Sequence, residues 1–178
     1  MKTPVFWQSR NPLSTLLLPA SWLYGLGAWA NHRFTKPQRA PLPVISLGNL
    51  TAGGAGKTPA TLALIPLLQS LGHTPHILTR GYGGTHLTAH CVNMNDDWRR
   101  VGDEALLLAR AAPTWVGSDR LTSAIFARDA GATILVCDDA LQHHALYKDI
   151  SLLVVDGPYG FGNGRLLPAG PLREAIAT

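Results

Sequence analysis

Not one aspartate or glutamate occurs between Met1 and Asn95, although seven basic residues do: Lys2, Arg10, Arg33, Lys36, Arg39, Lys57 and Arg80. From Asp96 to Thr178 there are eight basic and eleven acidic residues, so the two parts carry +7 and −3 and sum to the net +4. A one-signed half implies an anionic partner: nucleic acid, anionic lipid or a phosphorylated substrate. The basic residues are scattered and form no base-reading motif, which sets nucleic acid aside. Charged residues of both signs make up only 15% of the 178 residues against 46% hydrophobic, a composition that excludes intrinsic disorder. Uninterrupted apolar runs of about eighteen residues, the signature of a membrane-spanning helix, are missing. Two cysteines, Cys91 and Cys137, are too few for a disulfide scaffold or a cysteine-based zinc site, and read as reduced thiols of a cytosolic protein. Repeats and low-complexity segments are absent too, and the length suits one domain with an added element.

Phe6 to Phe34 is rich in Trp, Leu and Ala, with Trp7, Trp22, Tyr24 and Trp29 interspersed and Pro19, Gly25 and Gly27 interrupting it. Arg10 precedes the apolar part, while Arg33, Lys36 and Arg39 follow it. Tryptophan and tyrosine favour the headgroup layer, and flanking cations attract anionic lipid. The segment therefore reads as one or two helices lying on a membrane surface. A helix packed on the core and a secretory signal ending at Ala28-Trp-Ala30 are the other readings. Pro37 to Pro43 reads as a linker.

Leu42-Pro-Val-Ile-Ser-Leu47 is a short strand-like run that meets the glycine-rich Gly48-Asn-Leu-Thr-Ala-Gly-Gly-Ala-Gly-Lys-Thr58. A helical pattern, Ala60 to Leu71, and a glycine stop at Gly72 follow. Strand, glycine loop, Lys-Thr and helix together make the context of a phosphate-binding loop. Its backbone N–H groups and helix N-terminus would cradle phosphate through Thr51, Ala52, Gly53, Gly54, Ala55, Gly56, Lys57 and Thr58. Lys57 would reach the outer phosphates and Thr58 would offer its hydroxyl to Mg²⁺. The usual pattern opens on glycine; here that position is Thr51.

Downstream, strands and helices alternate. His76–Thr79 is a strand leading into Arg80-Gly-Tyr-Gly-Gly84. Asp103–Ala112 is a helix, Thr114–Val116 a strand and Asp119–Ala130 a helix. Thr133–Cys137 is a buried strand ending in Asp138-Asp139, and Ser151–Val155 is a strand ending in Asp156. Such alternation implies an α/β fold with a parallel sheet, helices on both faces, and ligands at the carboxyl ends of the strands. An aspartate at the end of an apolar strand can hold Mg²⁺ opposite the loop threonine, or simply cap a turn. Asp103 and Glu104 open a helix, where capping alone is the alternative to catalysis. Arg80 and Arg120 follow strands at the phosphate end, or are solvated surface arginines.

Taken together these segments resemble one family, the tetraacyldisaccharide 4'-kinases, which phosphorylate the lipid A precursor. The resemblance is carried by Val44-Ile-Ser-Leu-Gly-Asn-Leu-Thr-Ala-Gly-Gly-Ala-Gly-Lys-Thr-Pro59, Arg80-Gly-Tyr-Gly-Gly84, Gly102-Asp-Glu104 and Asp138-Asp-Ala-Leu-Gln-His143, with Gly162-Asn-Gly-Arg-Leu-Leu-Pro-Ala-Gly-Pro-Leu-Arg-Glu174. It runs from Phe6-Trp7 to Glu174, and Thr51 looks like the family's own version of the loop. The resemblance implies a P-loop NTPase-like kinase domain over 41–178, preceded by a membrane-associated helical segment at 1–36. It implies transfer of the γ-phosphate of ATP, with Mg²⁺, to the 4'-hydroxyl of the tetraacyldisaccharide 1-phosphate precursor in lipopolysaccharide synthesis.

By the same resemblance Asp103 is the general base, with Lys57 and Arg120 as further catalytic residues. Glu104 joins Thr58, Asp138 and Asp139 at the metal, and Arg80, Gln142, His143 and Arg173 serve phosphates and substrate. The implied location is the cytoplasmic face of the bacterial inner membrane, peripheral or monotopic, with the lipid precursor and the anionic surface as partners. No nucleic-acid or protein partner is indicated.

Ala140 stands where the family pattern suggests glycine. The family also looks considerably longer, with a second domain supplying a histidine that orients the catalytic aspartate, so a fragment or truncated product with little activity of its own is expected here. Two rivals from other classes are a membrane-associated P-loop switch or partitioning ATPase and a metallochaperone GTPase, the latter suggested by His143-His144. The first class places a signature lysine just before the glycine pair, where this chain has Ala52, and neither explains Pro168-Ala-Gly-Pro-Leu-Arg173.

Overall fold

The computed structural model describes residues 3–85 and 88–176; Met1, Lys2, His86, Leu87, Ala177 and Thr178 lie outside the described residues. Contacts divide the chain into two units, one of residues 37–48 and 57–152, the other of 1–36, 49–56 and 153–178.

The first of these units is built on a six-stranded sheet. Its strands are β1 (Val44–Gly48), β2 (Pro75–Thr79), β3 (His90–Cys91), β4 (Thr114–Val116), β5 (Ile134–Cys137) and β6 (Ile150–Leu153), in the spatial order β3-β4-β2-β5-β1-β6. β1 pairs parallel to β5, with Ser46 opposite Cys137, and β2 pairs parallel to both β5 and β4. Every residue of β1, β2 and β5 is buried, as expected when both faces of parallel strands are covered. Leu78, Leu135 and Cys137 pack with Ala124 and Ala127 of the helix Arg120–Asp129, and Trp115 joins them. Val116, next in β4 and so on the opposite face, packs with Val101 and Ala105 of the short helices Trp98–Val101 and Asp103–Ala109.

Two features depart from the expected sheet. It is mixed, because β3 adds antiparallel to the open edge of β4, with His90 opposite Val116 and Cys91 opposite Trp115; two residues are too few to show alternation in the sequence. The strand expected over Ser151–Val155 runs over Ile150–Leu153 and is exposed throughout, since it forms the other edge. Helices α4 (Trp98–Val101), α5 (Asp103–Ala109) and α6 (Arg120–Asp129) follow α3, which spans Lys57–Ser70 and begins at the Lys-Thr pair itself.

In the other unit a 3₁₀ turn at Val5–Trp7 precedes α1 (Pro12–Leu16) and α2 (Leu18–Phe34). Asn11 and Ser14 form a reciprocal capping box at the start of α1. Pro19 lies in the first turn of α2, where its missing N–H costs nothing. Gly25 and Gly27 do not break the helix, and a Cβ at Gly25 would meet Leu166 Cδ1 at 2.8 Å. The chain after Leu153 is tied to these helices. Trp7 Nε1 donates to Pro168 O at 3.0 Å, Ser21 Oγ to Leu166 O at 2.9 Å, and Arg165 Nη1 to Ser14 Oγ at 2.9 Å. Among the described residues no helix is long and apolar enough to cross a membrane.

Candidate active site

Adjacent parallel strands point their carboxyl ends the same way, so the ends of β1 and β5 lie side by side. Lys57, the first residue of α3, and the Asp138-Asp139 pair after β5 meet there: Lys57 Nζ is 3.6 Å from Asp139 Oδ1. Asp139 has φ +48° and is the only non-glycine with positive φ among the described residues. Aspartate tolerates this left-handed conformation better than most residues. Asp138 is buried, and one of its oxygens accepts a hydrogen bond from Thr61 Oγ1 at 3.0 Å.

Burial pushes the Asp138 carboxyl above its ordinary value, Thr61 draws it back, Asp139 pushes it up, and Lys57 and Arg120 draw it down. Glu104 is likewise raised, first by burial and then by Asp138, Asp103 and Asp139, with Lys57 opposing. Asp103 occupies the first position of α5, exposed, and its Oδ1 accepts from Glu104 N at 2.9 Å. Asp138 and Asp139, with Lys57 opposing their charge, present carboxylate oxygens of the kind that Mg²⁺ takes. Among the described residues no three His, Cys, Asp or Glu side chains group closely enough to hold a metal alone. Mg²⁺ usually takes one or two carboxylates and completes its shell with water and phosphate oxygens. Thr58 sits half-buried in the first turn of α3.

A cationic group adjoins the carboxylates. The His143 imidazole is held down to about 4, chiefly by burial and then by Arg120, Arg80, Lys148 and His144. It is therefore neutral at physiological pH, and the charge that surrounds it favours an anion. Gln142 is half-buried beside it in sequence. Arg80 is exposed after β2 and leads into a turn that requires glycine. Gly81 has φ +68° and a Cβ there would come within 2.6 Å of Val101 O; Gly102, with φ +90°, would meet Tyr82 O at 2.7 Å. These close approaches, with Thr85 N donating to Arg100 O at 3.0 Å, fix the backbone that leads into Asp103. Arg120 is buried, and its Nη2 donates to the carbonyl oxygens of Asp138 and Asp139 at 3.1 and 3.3 Å.

The loop 49–56 belongs to the other unit. Thr51 is not at a left-handed φ; it forms an antiparallel bridge with Leu172, and Asn49 Nδ2 donates to its carbonyl oxygen at 2.7 Å. Glycine is therefore not required at Thr51, whereas Gly53 (φ +126°) and Gly56 (φ +81°) do use glycine's freedom. Ala52 N donates to Pro171 O and Arg173 N to Leu50 O, both at 2.7 Å. These bonds stitch Ala52 and Thr51, with Ala55 buried and Gly54 exposed nearby in the loop, to the Pro-Leu-Arg segment.

Three contributors escaped the sequence reading. Thr61 lies one turn after Thr58, and that i,i+3 spacing was a usable signal. Asn49 lay inside the loop motif. Lys148, whose Nζ donates to Leu141 O at 2.6 Å and whose charge acts on His143, had no local signature.

Comparison with known proteins finds one family. The family model of tetraacyldisaccharide-1-P 4'-kinase (LpxK) matches residues 13–178. A tetraacyldisaccharide 4'-kinase of Paramagnetospirillum magneticum is 49% identical over 175 residues, 98% of this chain and 54% of the relative. One of Rhodospirillum centenum is 49% identical over 183 residues, 99% of this chain and 54% of the relative. The crystal structure of Aquifex aeolicus LpxK in complex with ATP superposes with a TM-score of 0.80 at 32% identity, covering 92% of this chain and 55% of that one. The chain spans about half the length of the curated relatives it matches. It belongs to the tetraacyldisaccharide 4'-kinase family.

Proposed function

We propose that this chain carries the ATP site of a kinase that transfers the γ-phosphate to the 4'-hydroxyl of a tetraacyldisaccharide 1-phosphate lipid. The observation that carries this reading is the meeting of Lys57 with Asp139 and the Thr61-held Asp138 at the ends of neighbouring parallel strands. Family membership and the ATP bound to the Aquifex relative support it. The switch ATPase and metallochaperone readings are not favoured by any of the relatives found.

Phosphoryl transfer is mostly positioning and charge neutralisation. Lys57 offsets charge on the outer phosphates, and backbone N–H groups of residues 53–56 would orient them; that of Ala52, expected to join them, is taken by Pro171 O. Asp138, Asp139, Glu104 and Thr58 would hold Mg²⁺, which when bound offsets charge on the phosphate oxygens. Asp103, exposed at a helix start, accepts the proton of the acceptor hydroxyl. Arg80, Gln142, His143 and Arg173 serve phosphates and substrate, with His143 neutral and thus able both to donate and to accept.

We place residues 41–178 as the kinase domain and 1–36 as the segment that docks it on the anionic cytoplasmic face of the inner membrane. Trp22, Leu26 and Trp29, spaced to share one face of α2, are all exposed, as are Leu23 and Phe34. The test of the ATP site is calorimetric titration of ATP·Mg²⁺ into the chain. Lys57→Ala should weaken binding about tenfold or more, the scale of one charge-assisted contact. Unchanged affinity in a folded variant would overturn the assignment.

A further inference from the structure

Arg120 is only 2% exposed and heads the largest fully buried side chains among the described residues. A phosphate has almost no guanidinium surface to reach. What the guanidinium does touch is backbone: Nη2 donates to both Asp138 O and Asp139 O, while Nε is buried with no hydrogen-bond partner. The peptide it grips is the one where the chain leaves β5 and Asp139 enters its left-handed conformation. That conformation aims the Asp139 carboxylate at Lys57. Arg120 is itself fixed by the start of α6, where Asp119 caps the helix through Leu121 N at 3.0 Å.

We propose that Arg120 is a positioning residue for phosphoryl transfer, its buried guanidinium tying the carbonyls of Asp138 and Asp139 so that the Asp139 carboxylate is held toward Lys57 and the metal position. This rests on the kinase reading above. Lysine at 120 keeps the charge but not the planar fork that spans two carbonyls. Glutamine removes the buried charge and keeps donors for one of them.

The experiment is ATP titration into the wild-type chain, Arg120→Lys, Arg120→Gln, Asp139→Asn and the double variant Arg120→Lys/Asp139→Asn, each with saturating MgCl₂ and with EDTA. Asparagine tolerates the left-handed backbone, so Asp139→Asn removes charge alone. Arg120→Lys should lose about tenfold in the Mg²⁺-dependent part of the affinity, with the loss confined to that part. In the Asp139→Asn background it should cost nothing further, because the two act as one unit. Additive losses, an equal loss in EDTA, or no loss would each overturn the proposal. Direct phosphate contact is the reading an equal loss in EDTA would favour.

Should both Arg120 variants fail to fold, the wild-type chain still decides. With ¹⁵N labelling, the Arg120 Nη protons should exchange slowly with solvent, and fast exchange would overturn the clamp. Failure of the wild-type chain to bind ATP in either condition would overturn the kinase reading and this inference with it.

Discussion

Replacing Thr61 by valine keeps the side-chain shape and removes only the hydroxyl. Thr61 and Asp138 are both buried, at 0% and 2% exposure, and 3.0 Å apart, so no water replaces the lost donor without rearrangement. A hydrogen bond to a charged group contributes about 1.5–3 kcal/mol. Burial already holds the Asp138 carboxyl above its ordinary value and Thr61 opposes that, so Thr61→Val pushes it higher still.

A carboxyl raised in the folded state contributes stability below the unfolded value of about 3.9, and loses it as pH rises through the folded value. The penalty of Thr61→Val should therefore be smaller in acid and grow toward about 1.5–3 kcal/mol in alkali. Because Mg²⁺ requires the ionised carboxylate, Mg²⁺-dependent ATP affinity should fall about tenfold or more as pH is lowered and recover as it rises. Urea unfolding and ATP titration across that range measure both. An equal penalty at every pH, with unchanged Mg²⁺ dependence, would refute the reasoning.

Asp119→Ala should cost about 1 kcal/mol through loss of the α6 cap. The Asp119 carboxyl is held below its ordinary value by Thr122 and the N–H groups of Leu121 and Thr122. Its contribution is therefore present above the unfolded value and lost as pH falls; a pH-independent cost in urea titrations would contradict this. On the membrane side, the double variant Trp22→Ser/Trp29→Ser should reduce co-sedimentation with anionic liposomes at least several-fold, because interfacial binding scales with buried apolar area. Undiminished binding would place the docking surface elsewhere.

What was legible in the sequence was contiguous. The run from Val44 through Thr58 and the Asp138-Asp139 pair reveal themselves because strand, glycine turn and helix start follow one another without interruption. The neighbouring placement of those two stretches was not legible, since β5 lies between β1 and β2 in space but far later in the chain. The helix α2 was harder to read: Pro19 looks like a breaker until its first-turn position is known. Arg120 could be placed after a strand but not assigned its grip on carbonyls 18 and 19 residues away. The packing of 153–176 on the N-terminal helices rests on contacts such as Ser21 with Leu166, 145 residues apart, which leave no periodic trace. Thr51 carries the clearest physical lesson. It replaces glycine without strain because its backbone bridges Leu172 rather than turning left-handed.

The decisive measurement is transfer of label from γ-labelled ATP to tetraacyldisaccharide 1-phosphate. It is made with a chimera in which this chain replaces the matching segment of the Paramagnetospirillum magneticum relative. The lipid should become labelled at the 4' position. Asp103→Asn in the same protein should lower turnover by about 10²–10⁴-fold with ATP affinity unchanged, because asparagine keeps an acceptor for Glu104 N but cannot take the proton. An unlabelled lipid despite a folded, ATP-binding chimera would contradict the kinase reading. Turnover close to wild type in Asp103→Asn would leave that residue only its local bond from Glu104 N; the N-cap of α5 is Gly102.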